Sequence, residues 1–448
     1  MIKEFAVQGA TYYSESFDEI KYIKDCLICV DKEGIIEKVL QVGDTSYESV
    51  LRSYENSGQL RQLRENELLL PGFIDLHIHG PQWAQSGTAL DRPLEVWLNE
   101  YTFPLEAQFK DMDFAKNVYS DVVKTSLKNG TTSAMYFATV DQEPSLLLAK
   151  ICGQMGQRGY VGKVAMDDPR GCPSYYMDKN DKEAIERTES FIKDVLAIQD
   201  DYKQKVYPVI TPRFIPTCTE DCLKGLGKLA KQYPIHVQTH ASESDWAHQY
   251  VKEKVGKNDV LALDDYGILG PKTILAHTPF LEESDIKRMV ERKSTIAHCP
   301  LSNAYFANSV LPVKAFYERG INIGLATDIS GGYSPSMYQA IRQAVLSSKM
   351  LNDGVNPALN KEKRGRKGAA LTLNNAFYMA TVAGGRALGL PLGKLEKGYI
   401  FDAQLVNTQE NIPRFYKEKH EEDLLHKVVL LAQTTNIKEV WVQGERVI

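Results

Sequence analysis

The sequence predicts an α/β protein: a parallel (β/α)8 barrel of the TIM type, with a small β-sandwich domain formed by both termini. Three observations lead there. Eight short, apolar, β-rich runs alternate with longer amphipathic stretches through the middle of the chain. Histidines, and one aspartate, recur at the ends of those runs. Short strand-like pieces occupy both chain ends.

In chain order, "YIKDCLICVDKEGIIEKVL" offers β-type stretches broken by the turn signal "DKEG". Then come the eight runs: "FIDLHIHG", "TTSAMYFAT", "YVGKVAMD", "VYPVITPRF", "IHVQTHAS", "TILAHT", "STIAHC" and "INIGLATD". Between them lie helical stretches such as "DKEAIERTESFIKDVLAIQD", "TEDCLKGLGKLAKQY", "ESDWAHQYVKEKV" and "EESDIKRMVERK". In the first of these, Ile185, Phe191, Ile192 and Val195 fit one helix face. A strand-then-helix unit repeated eight times is the pattern of a closed parallel barrel. "FDAQLVN" and "IKEVWVQGERVI" bring strand character back at the end. Residues 1–65 and 395–448 are therefore expected to pair as the small domain, and 66–394 to form the barrel. The basic run "NKEKRGRKG", with Lys361–Lys367 at its centre, reads as a solvated loop.

Composition narrows the function. The chain has 448 residues, 43% hydrophobic and 25% charged, enough for a large core. A net charge of -5 gives no basic footprint for nucleic acid. No apolar run has the length of a membrane span, and the first residues lack a secretory pattern, so a cytoplasmic protein is expected. Seven scattered cysteines suit reduced thiols. Cys26 and Cys29, three apart on a strand, face opposite ways and cannot chelate one ion together. Cys218 and Cys222 can share a helical face.

The histidines carry the chemistry. His77 and His79 are two apart on the first barrel strand and share a face. His240 ends the fifth strand, His277 the sixth and Asp328 the eighth. Barrel active sites gather side chains from the C-terminal ends of different strands, so these five converge on one mouth. Imidazoles with one carboxylate suit zinc or, as the less favoured choice, ferrous iron, not magnesium or calcium. One ion is expected rather than two. No lysine stands near the end of the fourth strand to bridge a pair; Lys205 precedes that strand, and Lys163 lies inside the third. Glu243, three residues after His240, is placed to carry a proton beside the metal, and Asp328 to accept one from water. The reaction class is metal-assisted hydrolysis. His236 is expected to be a packed barrel residue, His298 to be either packed or a support to the ligands, and His248, His420 and His426 to be exposed.

"PGFIDLHIHG", "THASE", "LAHT", "IAHCP" and "LATDISGGYSPSM" together resemble the amidohydrolase superfamily over about residues 66 to 394. "HIHGPQWAQSG", "EYTFPLEAQF", "LKNGTTSAMYFAT", "ITPRF" and "GGYSPSM" resemble the branch of it that deaminates guanine. The resemblance implies one zinc per subunit on His77, His79, His240, His277 and Asp328, with Glu243 carrying the proton. It implies guanine as the small-molecule partner, hydrolysed to xanthine and ammonia in purine catabolism or salvage. Gln82, Arg213 and Phe214 would bind it, together with His240, Glu243 and Asp328. His277 would steady the tetrahedral adduct, and the protein would be a homodimer. Chemistry agrees with those assignments: Arg offers a planar fork to paired acceptors, Phe stacks, and Gln both donates and accepts. The alternatives are a deaminase for another purine, a pyrimidine or a triazine, and a barrel that has lost its chemistry.

Overall fold

Residues 4–415 and 418–448 are described by a computed structural model of the protein. β1 (Phe5–Ser14) and β2 (Ile20–Val30) pair antiparallel, and β3 (Ile36–Gln41) joins β2 across the "DKEG" turn. The helix Tyr47–Ser57 follows, and then β4 (Leu60–Gln62) and β5 (Glu67–Pro71) run parallel to β1. Cys26 and Cys29 lie on opposite faces of β2, as strand alternation requires. Cys26 packs among Tyr13, Ile28 and Phe401, and Cys29 among Leu27, Ala6 and Tyr47.

The chain crosses into the barrel at Gly72. A Cβ there would stand 2.3 Å from Thr132 Cγ2, so only glycine permits this approach. The barrel strands are β6 (Phe73–His79), β7 (Thr131–Phe137), β8 (Arg158–Gly162), β10 (Val206–Pro212), β11 (His236–Ala241), β12 (Thr273–His277), β13 (Thr295–His298) and β14 (Ile323–Leu325). A two-residue strand, β9 (Val164–Ala165), continues the third and also pairs with β10. All neighbours are parallel, in chain order. The ends meet just beyond β14. The Asp328 N–H donates to His77 O at 2.9 Å, and the His79 N–H donates to Ile329 O at 2.8 Å. Leu76, Met135, Tyr160, Val209, Ala276 and Ala297 come from six of the strands and form one buried cluster, as a filled barrel demands.

Helices cover the outside. Asp181–Ile198 starts where Asn180 Oδ1 accepts the Glu183 N–H at 3.0 Å. It buries Ala184, Thr188, Phe191, Ile192 and Val195. Ile185, expected on that face, lies at its edge and is only half-buried. The basic loop around Lys361–Lys367 is exposed, as expected, apart from the half-buried Arg364.

β15 (Ala403–Asn407), β16 (Ile437–Val442) and β17 (Glu445–Arg446) return to the terminal sheet, β15 pairing antiparallel with β5. The result is one hydrogen-bonded eight-stranded sheet, in the order β17-β16-β15-β5-β1-β2-β3 with β4 on β1. The expected boundary at residue 66 falls ahead of β5, yet β5 bonds to β15 and β1, so the chain leaves this sheet at Gly72. Arg158, fully buried at the start of β8, ties the two bodies together. Its guanidinium donates to Ser133 Oγ at 2.9 Å, to Asp402 at 2.5 and 3.3 Å, and to Gln443 Oε1 at 3.4 Å.

Candidate active site

All five residues expected as ligands meet at the C-terminal mouth of the barrel, each at most 5% exposed. β6 aims His77 and His79 from one face. Beneath them Asp75 Oδ1 accepts the N–H of His77 at 3.2 Å and of Thr327 at 3.0 Å, and Asp75 also takes the Thr327 hydroxyl. That carboxylate fixes the first strand against the residue before Asp328. Burial holds Asp75 up at about 6 despite these donors.

Two of the imidazoles meet nitrogen to nitrogen. The His240 Nδ1–H donates to Arg213 O at 2.7 Å, which leaves Nε2 as a lone pair; it stands 3.0 Å from His79 Nε2. The His277 Nδ1–H donates to Asn303 Oδ1 at 3.1 Å, and its Nε2 makes no hydrogen bond among the described residues. Asp328 Oδ1 lies 3.1 Å from His77 Nε2 and 3.7 Å from His79 Nε2, and Oδ2 lies 3.8 Å from His277 Nε2. Burial and the mutual repulsion of neighbouring rings drive His79 and His240 well below the usual histidine range, and burial brings His277 to about 4. Asp328 is held below its usual value against burial, by His77 first. Imidazoles and a carboxylate converging in a buried cluster, with the Nε2 atoms of His77 and His277 left without hydrogen-bond partners among the described residues, could hold a divalent ion. Cys299 also falls within ligand distance of His77, His277 and Asp328. His277, Thr278, Ser242 and Asp328 all adopt positive φ (72°, 56°, 50° and 51°), a strained backbone concentrated at this rim.

Glu243 follows β11 and is 8% exposed, with Oε1 3.7 Å from His277 Nε2. Burial first, then the Asp328 charge, push it up to about 8 against the pull of Arg213. A pocket opens over the cluster, lined by His79, His240, Glu243, Asp328 and the three residues expected to bind a base, Gln82, Arg213 and Phe214. Leu94, Trp97, Leu98 and Phe306 complete its walls.

Several parts of the site were not legible in advance. Glu106, fully buried in the short helix Phe103–Glu106, accepts from Gln82 Nε2 at 2.9 Å and from both terminal nitrogens of Arg213 at 2.6 and 3.2 Å. The Arg213 fork is thus already engaged by a carboxylate. Asn303 and Asp75 support ligands. The apolar walls come from two distant segments, one holding Leu94, Trp97 and Leu98 and the other Phe306. The His236 Nε2–H donates to Ala387 O at 3.1 Å, a packed residue as expected. His298 is buried, does not line the pocket and belongs to none of the ligand groups. Of the three histidines expected at the surface only His420 is exposed. His248 sits against Ser242 Oγ at 3.1 Å, and His426 against Asn374 Oδ1 at 2.9 Å, each half-buried because its helix turns that side inward. Lys163 is held by Asp178 at 2.7 and 2.9 Å, away from the cluster.

The amidohydrolase family model matches residues 68–447, and the chain belongs to that family. Within it, the chain is 39% identical to the guanine deaminase of Mus musculus over 400 residues, 87% of this chain and 85% of that one. It is 32% identical to the guanine deaminase of Dictyostelium discoideum over 98% of this chain and 97% of that one. Among solved structures, a guanine deaminase from C. acetobutylicum, with guanine bound in its active site, superposes with a TM-score of 0.89 at 31% identity, covering 100% of both chains.

Proposed function

We propose that the protein hydrolyses guanine to xanthine and ammonia, using one zinc ion per subunit held by His77, His79, His240, His277 and Asp328. The observation that carries this reading is a buried four-imidazole, one-carboxylate cluster directly under a pocket lined by Gln82, Arg213, Phe214 and Glu243. A zinc ion on such donors lowers the pKa of water to about 7 and so supplies a nucleophile at neutral pH.

The chain's own residues do the rest. Phe214, 4% exposed, offers a face for the purine to stack on. Gln82 and Arg213 hydrogen-bond its polar edges and set which carbon faces the cluster. Glu243, protonated near neutral pH, donates to the ring nitrogen beside C2, the carbon that bears the amino group. Asp328 accepts the proton of the attacking water, and His277 steadies the oxygen of the tetrahedral adduct. The amino group then leaves as ammonia with the proton that Asp328 took up, and the adduct's hydroxyl returns a proton to Glu243 as the C2 carbonyl of xanthine forms. The apolar walls exclude bulk water, which strengthens each of these interactions.

Ferrous iron is the alternative ion, since the same donors suit it. The seven cysteines are all free and buried, in keeping with a reducing cytoplasm. Among the described residues no helix is long and apolar enough to cross a membrane. The homodimer implied by the resemblance is checked by sedimentation equilibrium.

The test is ultraviolet-monitored turnover of guanine by the metal-loaded protein, with and without a strong chelator, followed by metal analysis. Rapid, chelator-sensitive conversion to xanthine is expected. A metal-loaded, folded sample that leaves guanine untouched overturns the reading. A panel of other purines, pyrimidines and triazines then separates a different deaminase from a silent barrel.

A further inference from the structure

We propose that Glu106 is the positioning residue that tunes this pocket to a neutral purine rather than an anionic one. The inference rests on the guanine-deaminase reading and deepens it. Glu106 does not line the pocket, so it acts through the two residues that do, Gln82 and Arg213.

The geometry fixes both. Glu106 Oε2 accepts from Arg213 Nη1 at 2.6 Å and Oε1 from Nη2 at 3.2 Å, an end-on pair. The Phe103 ring lies 5.0 Å from the guanidinium carbon. With its end engaged, Arg213 has only Nε–H and the outer N–H groups to offer a ligand. Gln82 is held at both ends of its amide. Its Nε2 donates to Glu106 Oε1 at 2.9 Å, and its Oε1 accepts the Ser330 N–H at 3.3 Å. One N–H and one lone pair remain, in a known orientation.

The second consequence is electrostatic. Arg213 is fully buried in this environment, and without Glu106 its charge would face the pocket unbalanced. Paired with Glu106, it presents polar hydrogens with little net charge. Guanine is neutral at physiological pH. Xanthine has a second carbonyl in place of the amino group and loses a ring proton more readily, so in mildly alkaline solution it is partly an anion. A neutralised Arg213 therefore favours the substrate over the anionic form of its product.

The experiment compares zinc-loaded wild type with Glu106→Gln, Glu106→Asp, Arg213→Met and the double variant Glu106→Gln/Arg213→Met. It reads kcat and KM for guanine and the inhibition constant of xanthine at pH 8.5, with metal content and melting temperature recorded. In Glu106→Gln, KM is expected to rise about tenfold while kcat changes by less than about threefold. The ratio of the xanthine inhibition constant to the guanine KM is expected to fall by about tenfold. Glu106→Asp, which keeps the charge, is expected to restore the ratio to within about threefold of wild type. In the double variant, which removes both charges of the pair, the ratio is expected to return to within about threefold of wild type.

An unchanged ratio in folded Glu106→Gln overturns the inference. So does a parallel rise of KM and the inhibition constant, which marks a merely loosened pocket. Should Glu106→Gln fail to fold, the double variant against Arg213→Met decides: Arg213→Met leaves the Glu106 carboxylate unbalanced and is expected to raise the ratio, the double variant is expected to bring it back, and equal ratios overturn the inference. Failure of the wild type to turn over guanine brings down the functional reading and this inference with it. That failure is visible without any variant.

Discussion

Replacing Glu243 by Gln separates chemistry from stability, because the two are expected to move in opposite directions. The side chain keeps its shape and loses only its titratable proton. General acid–base groups of this kind contribute about 10² to 10⁴ in rate, so kcat for guanine is expected to fall by at least about a hundredfold with the metal retained. Stability should rise. The carboxylate accepts no hydrogen bond among the described residues, is 8% exposed, and is held up at about 8 against an ordinary 4.5 by burial and by Asp328. A carboxyl raised in the folded state binds more protons folded than unfolded. Its ionisation therefore penalises the fold progressively as pH climbs from about 4.5 through about 8. At 1.36 kcal/mol per pH unit, that interval corresponds to an upper bound of about 5 kcal/mol in the metal-free protein. Urea unfolding of metal-free wild type and Glu243→Gln should give matching stabilities at pH 5 and a more stable variant at pH 8.5. Full turnover in the variant would refute the proton-carrier role. A stability difference independent of pH would refute the electrostatic account of the residue.

Three further outcomes are expected. Phe214→Ala should raise the guanine KM by about 1 to 3 kcal/mol in binding, as loss of a base-stacking surface does, and, because the ring is buried, should also lower the melting temperature; an unchanged KM in the folded variant would remove the stacking role. Stripping the metal with a chelator should abolish turnover and lower the melting temperature, since an ion present at about a thousandfold over its dissociation constant stabilises by about 4 kcal/mol; calorimetry with and without added zinc checks it. Arg158→Met should cost about 3 to 5 kcal/mol in urea unfolding, because it strands the Asp402 carboxylate between the barrel and the terminal sheet, while Arg158→Met/Asp402→Leu should recover most of that loss.

The barrel was legible because its signals are local. "FIDLHIH" and "TILAH" each announce a buried strand by composition and length, and strand alternation alone puts His77 and His79 on one side. Closure of a parallel barrel then forces strand ends far apart in sequence onto one rim. The five residues expected as ligands could therefore be placed on one rim from chain position without a single contact being known. Cys26 and Cys29 were separable by the same alternation. Where the expectation slipped, the deciding force was tertiary. The expected boundary at residue 66 left β5 with the barrel, yet its edge is satisfied by β15, more than 300 residues later. His248 and His426 sit in charged, helical sequence, and only the packing of those helices shows that Ser242 and Asn374 cover them.

Glu106 shows where such reasoning stops. In "YTFPLEAQF" it is one acidic residue on a short helical stretch, and an acidic residue in that context is nearly always solvated. Its partners are 24 residues before it, at Gln82, and 107 after it, at Arg213. No periodicity connects three such positions, and the charge balance they form exists only once the closed barrel brings the ends of β6 and β10, separated in the sheet by β7 and β8, to one mouth. Metal ligands can be read from a sequence because each is placed by the strand that carries it. The residues that set what a pocket prefers are placed by one another. An Arg213 judged alone is a cation waiting for an anion, and with Glu106 behind it the same guanidinium becomes a neutral donor edge. The preference for one protonation state of a purine over another follows from that pair, and the ratio of product inhibition to substrate KM measures it.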